Sequence, residues 1–231
     1  MATRPIYLPK TNEKRPGVTI KNIDFKWFPG MSKSQKQKSI ESLHFAAKNS
    51  DISPILEISS KSKVPVGVEL SAFNLMIITK QQKTFSVEAA FQSSKVFEKG
   101  GPYIDLLEGT SRQAKKDNRL KESGNLTHFS FFSTKFPIKP RTFFYDWLYI
   151  NALEQNKNLS DQLLTYKGFT DIEFNPKKAI NCQAFSAALY VSLTSMGKLT
   201  DAVASSDSFL KIMQSEYEKR DKSINVQIEM F

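Results

Sequence analysis

Apolar positions along this chain keep two different periods, and the switches between them outline the expected fold. Short runs of Ile, Val and Leu with β-branched residues at Ile52–Ser60 and Gly67–Ile78 predict strands. Gln81-Gln82 lies between two such runs like a hairpin turn, although neither Gly nor Asn is present to take a positive φ. From Ser86 the spacing becomes helical and stays so to about Leu210, and Ile224–Phe231 alternates like a last strand. Nearer the start, Ile40, Leu43, Ala46 and Ala47 keep helical spacing behind Ser32 and Gln35. Those two residues have the separation of a capping box, so a helix is expected from there to about Asn49. Residues 1–22 hold Pro5, Pro9, Pro16 and Gly17 amid Lys and Arg, and read as extended or loosely attached. The expectation is an α+β protein, mostly helical with a small β-sheet. A basic N-terminal extension over 1–63 would pack on a main domain over 64–231.

Composition narrows the class. In 231 residues, 40% are hydrophobic and 24% charged, as in ordinary globular domains, so a disordered chain is excluded. No run of about eighteen apolar residues exists to span a membrane. The opening Met-Ala-Thr-Arg-Pro lacks the apolar core of a secretory signal, and a cytoplasmic protein is expected. Cys182 alone permits no intramolecular disulfide or multi-thiolate metal site, and His44 and His128 leave little for zinc. Neither a metal nor an organic cofactor is expected.

Charge points to a class of partner. The balance is 33 − 23 = +10, and residues 1–63 hold twelve Lys/Arg against five Asp/Glu. Such an excess suits a polyanion through phosphate contacts and counterion release, or it serves solubility alone. Phe25, Trp27, Phe28 and Pro29 precede Gly30 and the cations Lys33, Lys36 and Lys38. That grouping is either a nucleic-acid surface or an aromatic knot pinning the following helix to the core.

The segment Phe85–Phe97 carries the sharpest chemical signal. On a helix, Glu88, Gln92 and Lys95 share one narrow face, with Phe91 and Val87 on one side and Val96 and Ala89 on the other. A surface helix has a broad charged face, whereas this wedge is bounded by apolar residues. It reads as a buried helix aiming a carboxylate, an amide and an amine into a pocket; a partly exposed Glu/Lys face is the plainer alternative. A desolvated lysine offers a neutral amine to an electrophilic carbon, and a neighbouring carboxyl can move protons. The pair fits chemistry at a sugar anomeric carbon.

Other segments add candidate binding groups. Arg112, Lys115 and Lys116 fall on one helical face that could hold a diphosphate or could simply be solvated. Asp146 is the lone charge in Phe143–Ile150, held by neighbouring tyrosines or belonging to a site. Phe169–Gln183 mixes polar and apolar residues like a loop that lines a site. No GxGxxG, Walker A, HExxH or GxSxG pattern is present, which excludes the common dehydrogenases, NTPases, zinc proteases and serine hydrolases.

Taken in order, these segments resemble the NADAR (YbiA-like) superfamily. Leu70-Ser71-Ala72-Phe73-Asn74 is similar to its L-S-N-F-y segment, and Phe85-Ser86-Val87-Glu88 with Gln92 and Lys95 to its F-x-S-x-E…K helix. Ala114-Lys115-Lys116 resembles A-K-K-L-G, and Leu163-Leu164 with Ile172-Glu173 resembles the L-L-x-T-G…L-v-E segment. Phe25–His44 and Thr170–Lys178 further resemble the NADAR antitoxins associated with DarT-type DNA ADP-ribosyltransferase toxins. The chain departs from the broad family where an Asp and a Trp are usual, holding Lys178 and Asn181 instead.

The resemblance implies an antitoxin that removes ADP-ribose from guanine in DNA, with guanine-linked ADP-ribose as substrate and the cognate DarT-type toxin as a partner. Under it Glu88 and Lys95 are catalytic. Ser71, Phe73, Asn74, Gln92, Arg112, Lys115, Asp146, Glu173 and Asn181 bind substrate, with no metal or cofactor and no membrane. Two rivals belong to other classes: a non-catalytic antitoxin that masks the toxin, and a small-metabolite N-glycosidase.

Overall fold

A computed structural model describes residues 1–176 and 179–229, with 222–229 by backbone alone. In chain order the elements begin with β1 (Ala2–Pro9), β2 (Val18–Phe25), α1 (Lys33–Lys48), β3 (Ile55–Glu57), α2 (Pro65–Glu69), β4 (Met76–Ile78) and β5 (Thr84–Ser86). Next come α3 (Val87–Ser93), β6 (Lys95–Phe97), α4 (Ser111–Lys116), α5 (Arg119–Glu122), β7 (Leu126–Phe131), β8 (Thr134–Pro137) and α6 (Phe143–Gln155). The chain continues with α7 (Lys157–Leu163), β9 (Gly168–Thr170), α8 (Gln183–Ser195), α9 (Leu199–Val203) and α10 (Ser206–Glu229). The class is α+β, as expected. Contacts divide the chain into two compact units, Met1–Ser71 with Lys157–Met213 and Ala72–Asn156 with Gln214–Phe231. No described helix is long and apolar enough to cross a membrane.

The first unit is built on a four-stranded sheet in the order β2-β1-β9-β3. Its first strand corrects the expectation of a loose basic extension, because β1 starts at Ala2 and pairs antiparallel with β2 from Ala2↔Phe25 to Pro9↔Val18. Proline normally weakens a strand by removing a donor. Here the Lys10 N–H bonds the Gly17 carbonyl at 3.0 Å on the β2 side, so even-numbered residues face β2. Pro5 and Pro9 therefore aim their missing N–H away from that ladder, towards the edge where β1 meets β9 only at Tyr7↔Phe169.

α1 opens as its sequence predicts, with the Ser32 hydroxyl accepting from the Gln35 N–H at 3.3 Å. Ile40, Leu43 and Ala47 enter one core cluster with Ile6, Ile23 and Phe25, and Trp27 packs against it. Arg4 and Lys36 lie over the Trp27 ring at 5.2 and 5.0 Å. The aromatic group thus serves as the knot that pins α1. Of the two early strand expectations, Ile52–Ser60 shrinks to β3, and Gly67–Ile78 is replaced at its start by α2. Pro65 begins that helix at N1, where a missing N–H is harmless. A Cβ on Gly67 would sit 2.1 Å from the Glu57 carbonyl oxygen, so only glycine lets α2 approach β3.

The second unit has the β4–β5 hairpin and a three-stranded sheet, β6-β7-β8. Gln82 takes φ 60° in the hairpin turn, doing the work of the absent Gly or Asn. The helical run expected from Ser86 breaks at β6 after α3, resumes in the short α4 and α5, and breaks again at β7 and β8 before α6. Phe129 and Phe131 explain the second break, since alternate aromatics on β7 make one face that a helical reading scatters. At the β7–β8 tip Phe131 pairs with Thr134, leaving Phe132 and Ser133 as a two-residue turn with φ 43° and 66°. Such a turn ordinarily takes Asn-Gly, and each left-handed L-residue costs on the order of 1 kcal/mol. Phe132 is nonetheless 60% exposed.

The last-strand expectation is overturned as far as Glu229, where α10 continues; Met230 and Phe231 lie outside the described residues. No Gly or Pro separates Ile224 from the preceding helix, so propagation is easier than nucleating a strand.

Candidate active site

α3 is short, and every one of its seven residues is buried. Its start is fastened from two directions. The Ser86 hydroxyl accepts from the Ala89 N–H at 3.1 Å, and the Ser111 hydroxyl donates to the Phe73 carbonyl at 2.7 Å. The two hydroxyl oxygens are 2.7 Å apart, so the Ser86 proton is left for Ser111. The Glu88 N–H bonds the Ala72 carbonyl at 2.8 Å and the Val87 N–H that of Leu75 at 2.9 Å. The segment from Ala72 to Leu75 is thereby held against the first turn of α3, where Glu88 also meets the positive end of the helix dipole.

The expected convergence of Glu88, Gln92 and Lys95 is present, but Lys95 is not on the helix. α3 stops at Ser93 because the Ser93 and Ser94 hydroxyls bond back to the Ala90 carbonyl at 3.0 and 2.7 Å, competing with the ladder. Strand β6 then takes Lys95, opposite Phe129. The Gln92 side-chain amide donates to Glu88 Oε1 at 2.9 Å, while its own Oε1 is buried without a hydrogen bond. Glu88 is only 5% exposed. Lys115 Nζ stands 3.5 Å from the same Glu88 oxygen and 4.9 Å from the centre of the Phe73 ring.

Lys95 Nζ lies 5.0 Å from the centre of the Phe91 ring. Burial pushes its pKa below the ordinary lysine range; Glu88 opposes that shift and Lys115 adds to it. The result is a half-buried amine biased towards its neutral form beside a carboxylate, an amide and a second cation. That arrangement can attack an electrophilic carbon and move a proton. Among the described residues no group of three or more His, Cys, Asp and Glu is placed to hold a metal ion.

The remaining expected residues are dispersed. Arg112 and Lys116 are exposed on α4, and Asn74 is exposed after the half-buried Phe73. Asp146, 1% exposed, receives the Tyr217 hydroxyl at 3.2 Å and faces Arg220 at 3.7 Å. A tyrosine does hold this carboxylate, and Tyr217 comes from α10. In the first unit, Ser71 spends its hydroxyl on the Val68 carbonyl at 2.8 Å. Glu173 pairs with Lys36 at 3.1 Å, and Asn181 Oδ1 is buried without a partner. Lys178 lies outside the described residues.

Sequence reading missed a polar cluster in the first unit. Glu57, 2% exposed, accepts from the Thr170 hydroxyl at 2.7 Å and the Ile172 N–H at 2.8 Å. His44 Nε2 is 2.9 Å from the Thr170 oxygen, and burial lowers its pKa to about 4. Burial and the nearby Glu57 raise Asp171 to about 8, and burial drives the Cys182 thiol far up. One charged residue within a run of apolar ones at Ile55–Ile58 was the available signal.

No curated protein matches this chain. The family model described as DarT1-associated NADAR antitoxin matches residues 2–223. With nearly the whole chain covered, and the glutamate, glutamine and lysine of the resembled helix gathered in one site, the protein belongs to the DarT1-associated NADAR antitoxin family.

Proposed function

We propose that this protein removes ADP-ribose from guanine bases in DNA by cleaving the N-glycosidic bond between ribose C1″ and guanine, reversing the toxin's modification. The observation that carries the reading is the Lys95 amine, depressed by burial and set among Glu88, Gln92 and Lys115. Lys95 attacks C1″ as the bond to guanine breaks, and Glu88 passes a proton to the leaving base. The C1″–O4″ bond then opens, with one proton passing from Nζ to O4″, to give a protonated Schiff base on Lys95. Water adds at C1″ with its proton passing to Glu88, the C1″–Nζ bond breaks, and ADP-ribose leaves. Gln92 orients the ribose, and the α4 cations Arg112 and Lys115 meet the diphosphate.

A short guanine-ADP-ribosylated oligonucleotide tests this directly. Wild type is expected to release ADP-ribose and unmodified guanine, with losses of at least a hundredfold in Glu88→Gln and Lys95→Ala. Borohydride added during turnover should leave a reduced adduct on Lys95. A reacting enzyme that forms no adduct would instead have Glu88 activate water directly, with Lys95 acting through charge. Absence of release by the wild type would sink the glycohydrolase reading and leave masking of the toxin as the antitoxin's mode of action.

A further inference from the structure

We infer that Phe132, at the tip of the β7–β8 hairpin, stacks on a nucleobase beside the modified guanine in single-stranded DNA. The inference rests on the DNA-directed reading above and names a positioning residue for it. Phe132 breaks two local rules together. It is a bulky side chain at φ 43° in a turn that suits Asn-Gly, and it is a large apolar ring left 60% exposed. Neither feature helps the fold, and asparagine would relieve both. A residue that is unfavourable on two independent counts is a candidate for contact with something outside the chain.

The ring is also held in place. Its centre is 4.6 Å from that of Phe131 and 6.0 Å from that of Phe85, which backs it while much of its surface stays open to solvent. Phe85 directly precedes Ser86, the cap of the helix that carries Glu88. On the other strand, Lys95 is paired with Phe129. Phe132 lies three residues past Phe129, just beyond the end of β7, on the order of 10 Å at strand rise, within reach of a nucleotide neighbouring one bound at Lys95.

Charge selects the occupant. Between Glu122 and Asp146 the chain has Lys135, Lys139 and Arg141 and no acidic residue. All three cations are exposed. An aromatic ring with a solvent-facing surface, in a stretch of chain whose only charged residues are cations, matches the way single strands are held, by stacking on bases and attraction to phosphates. Stacking tolerates any base, so the contact would favour having a neighbour without selecting its identity.

The test compares wild type, Phe132→Leu, and the double variant Phe132→Asn with Ser133→Gly, on two substrates. One is a guanine-ADP-ribosylated single-stranded oligonucleotide; the other is the ADP-ribosylated mononucleotide, which has no neighbouring base. Both variants should lose about tenfold in kcat/KM on the oligonucleotide and stay within about twofold of wild type on the mononucleotide. The double variant should melt at or above the wild-type temperature, which separates lost stacking from lost fold. In parallel, unmodified single strands carrying 2-aminopurine should be quenched by wild type and much less by either variant.

Equal quenching by all three proteins, or parallel losses on both substrates, would overturn the inference. So would lost toxin binding with unchanged quenching, which would assign the ring to a protein surface. If wild type releases ADP-ribose from neither substrate, the glycohydrolase reading fails, and the 2-aminopurine comparison decides the role of Phe132 separately.

Discussion

Lys95 is two residues past the end of its helix, and this small displacement matters for its chemistry. On β6 its Nζ lies over the buried Phe91 ring, and burial is the first reason its pKa falls. A depressed folded-state pKa means that stability is complete above the unfolded lysine value of about 10.4 and declines as pH falls through the folded value. At neutral pH this lysine therefore weighs against the fold. Lys95→Met should raise the melting temperature at pH 7 while abolishing release, and its advantage should vanish at the alkaline end of a pH series. The wild-type pH–rate profile should carry an inflection below the ordinary lysine range. An inflection at that range or above would contradict a desolvated nucleophile. Glu88 and Gln92 were legible in sequence because a true helix relates them. The Lys115–Glu88 contact was not, since no local period links α3 to α4.

Elements were legible where short-range chemistry decides them. The Ser32 cap set the start of α1, and the apolar run from Phe143 marked α6. Elements were lost where partners distant in sequence decide. β1 can be read past Pro5 and Pro9 only by knowing which side β2 occupies, and the Phe-rich β7 has no local signal that separates it from helix without its partner β6. α10 shows long-range partnership of another kind, through Tyr217 and Arg220 on the buried Asp146. Arg220→Met should cost about 3 kcal/mol by leaving that carboxylate poorly compensated. Adding Asp146→Leu should recover much of the loss, because removing both charges is cheaper than stranding one. Denaturant melts of the two single variants and the double variant measure the coupling, and strictly additive losses would argue against it.

For the whole molecule, each of the two units gathers separated stretches of chain, an arrangement that contiguous reading of a sequence does not reveal. The charge of +10 was legible from composition alone and makes a prediction at this scale. If phosphates are engaged, kcat/KM on the oligonucleotide should fall steeply between about 50 and 200 mM salt. Release from the mononucleotide should change little. Parallel salt curves would place the electrostatic contribution on the ADP-ribose itself, as for a small-metabolite glycosidase.

Cys182 is the chain's single thiol, 4% exposed and held far from its thiolate form. The rest of the protein is therefore blank to sulfur-directed reagents under native conditions. A cysteine placed at Ser133 would be the one reactive sulfur, next to the ring at the hairpin tip. A maleimide dye there could follow a strand arriving in real time, with Cys182 left in place.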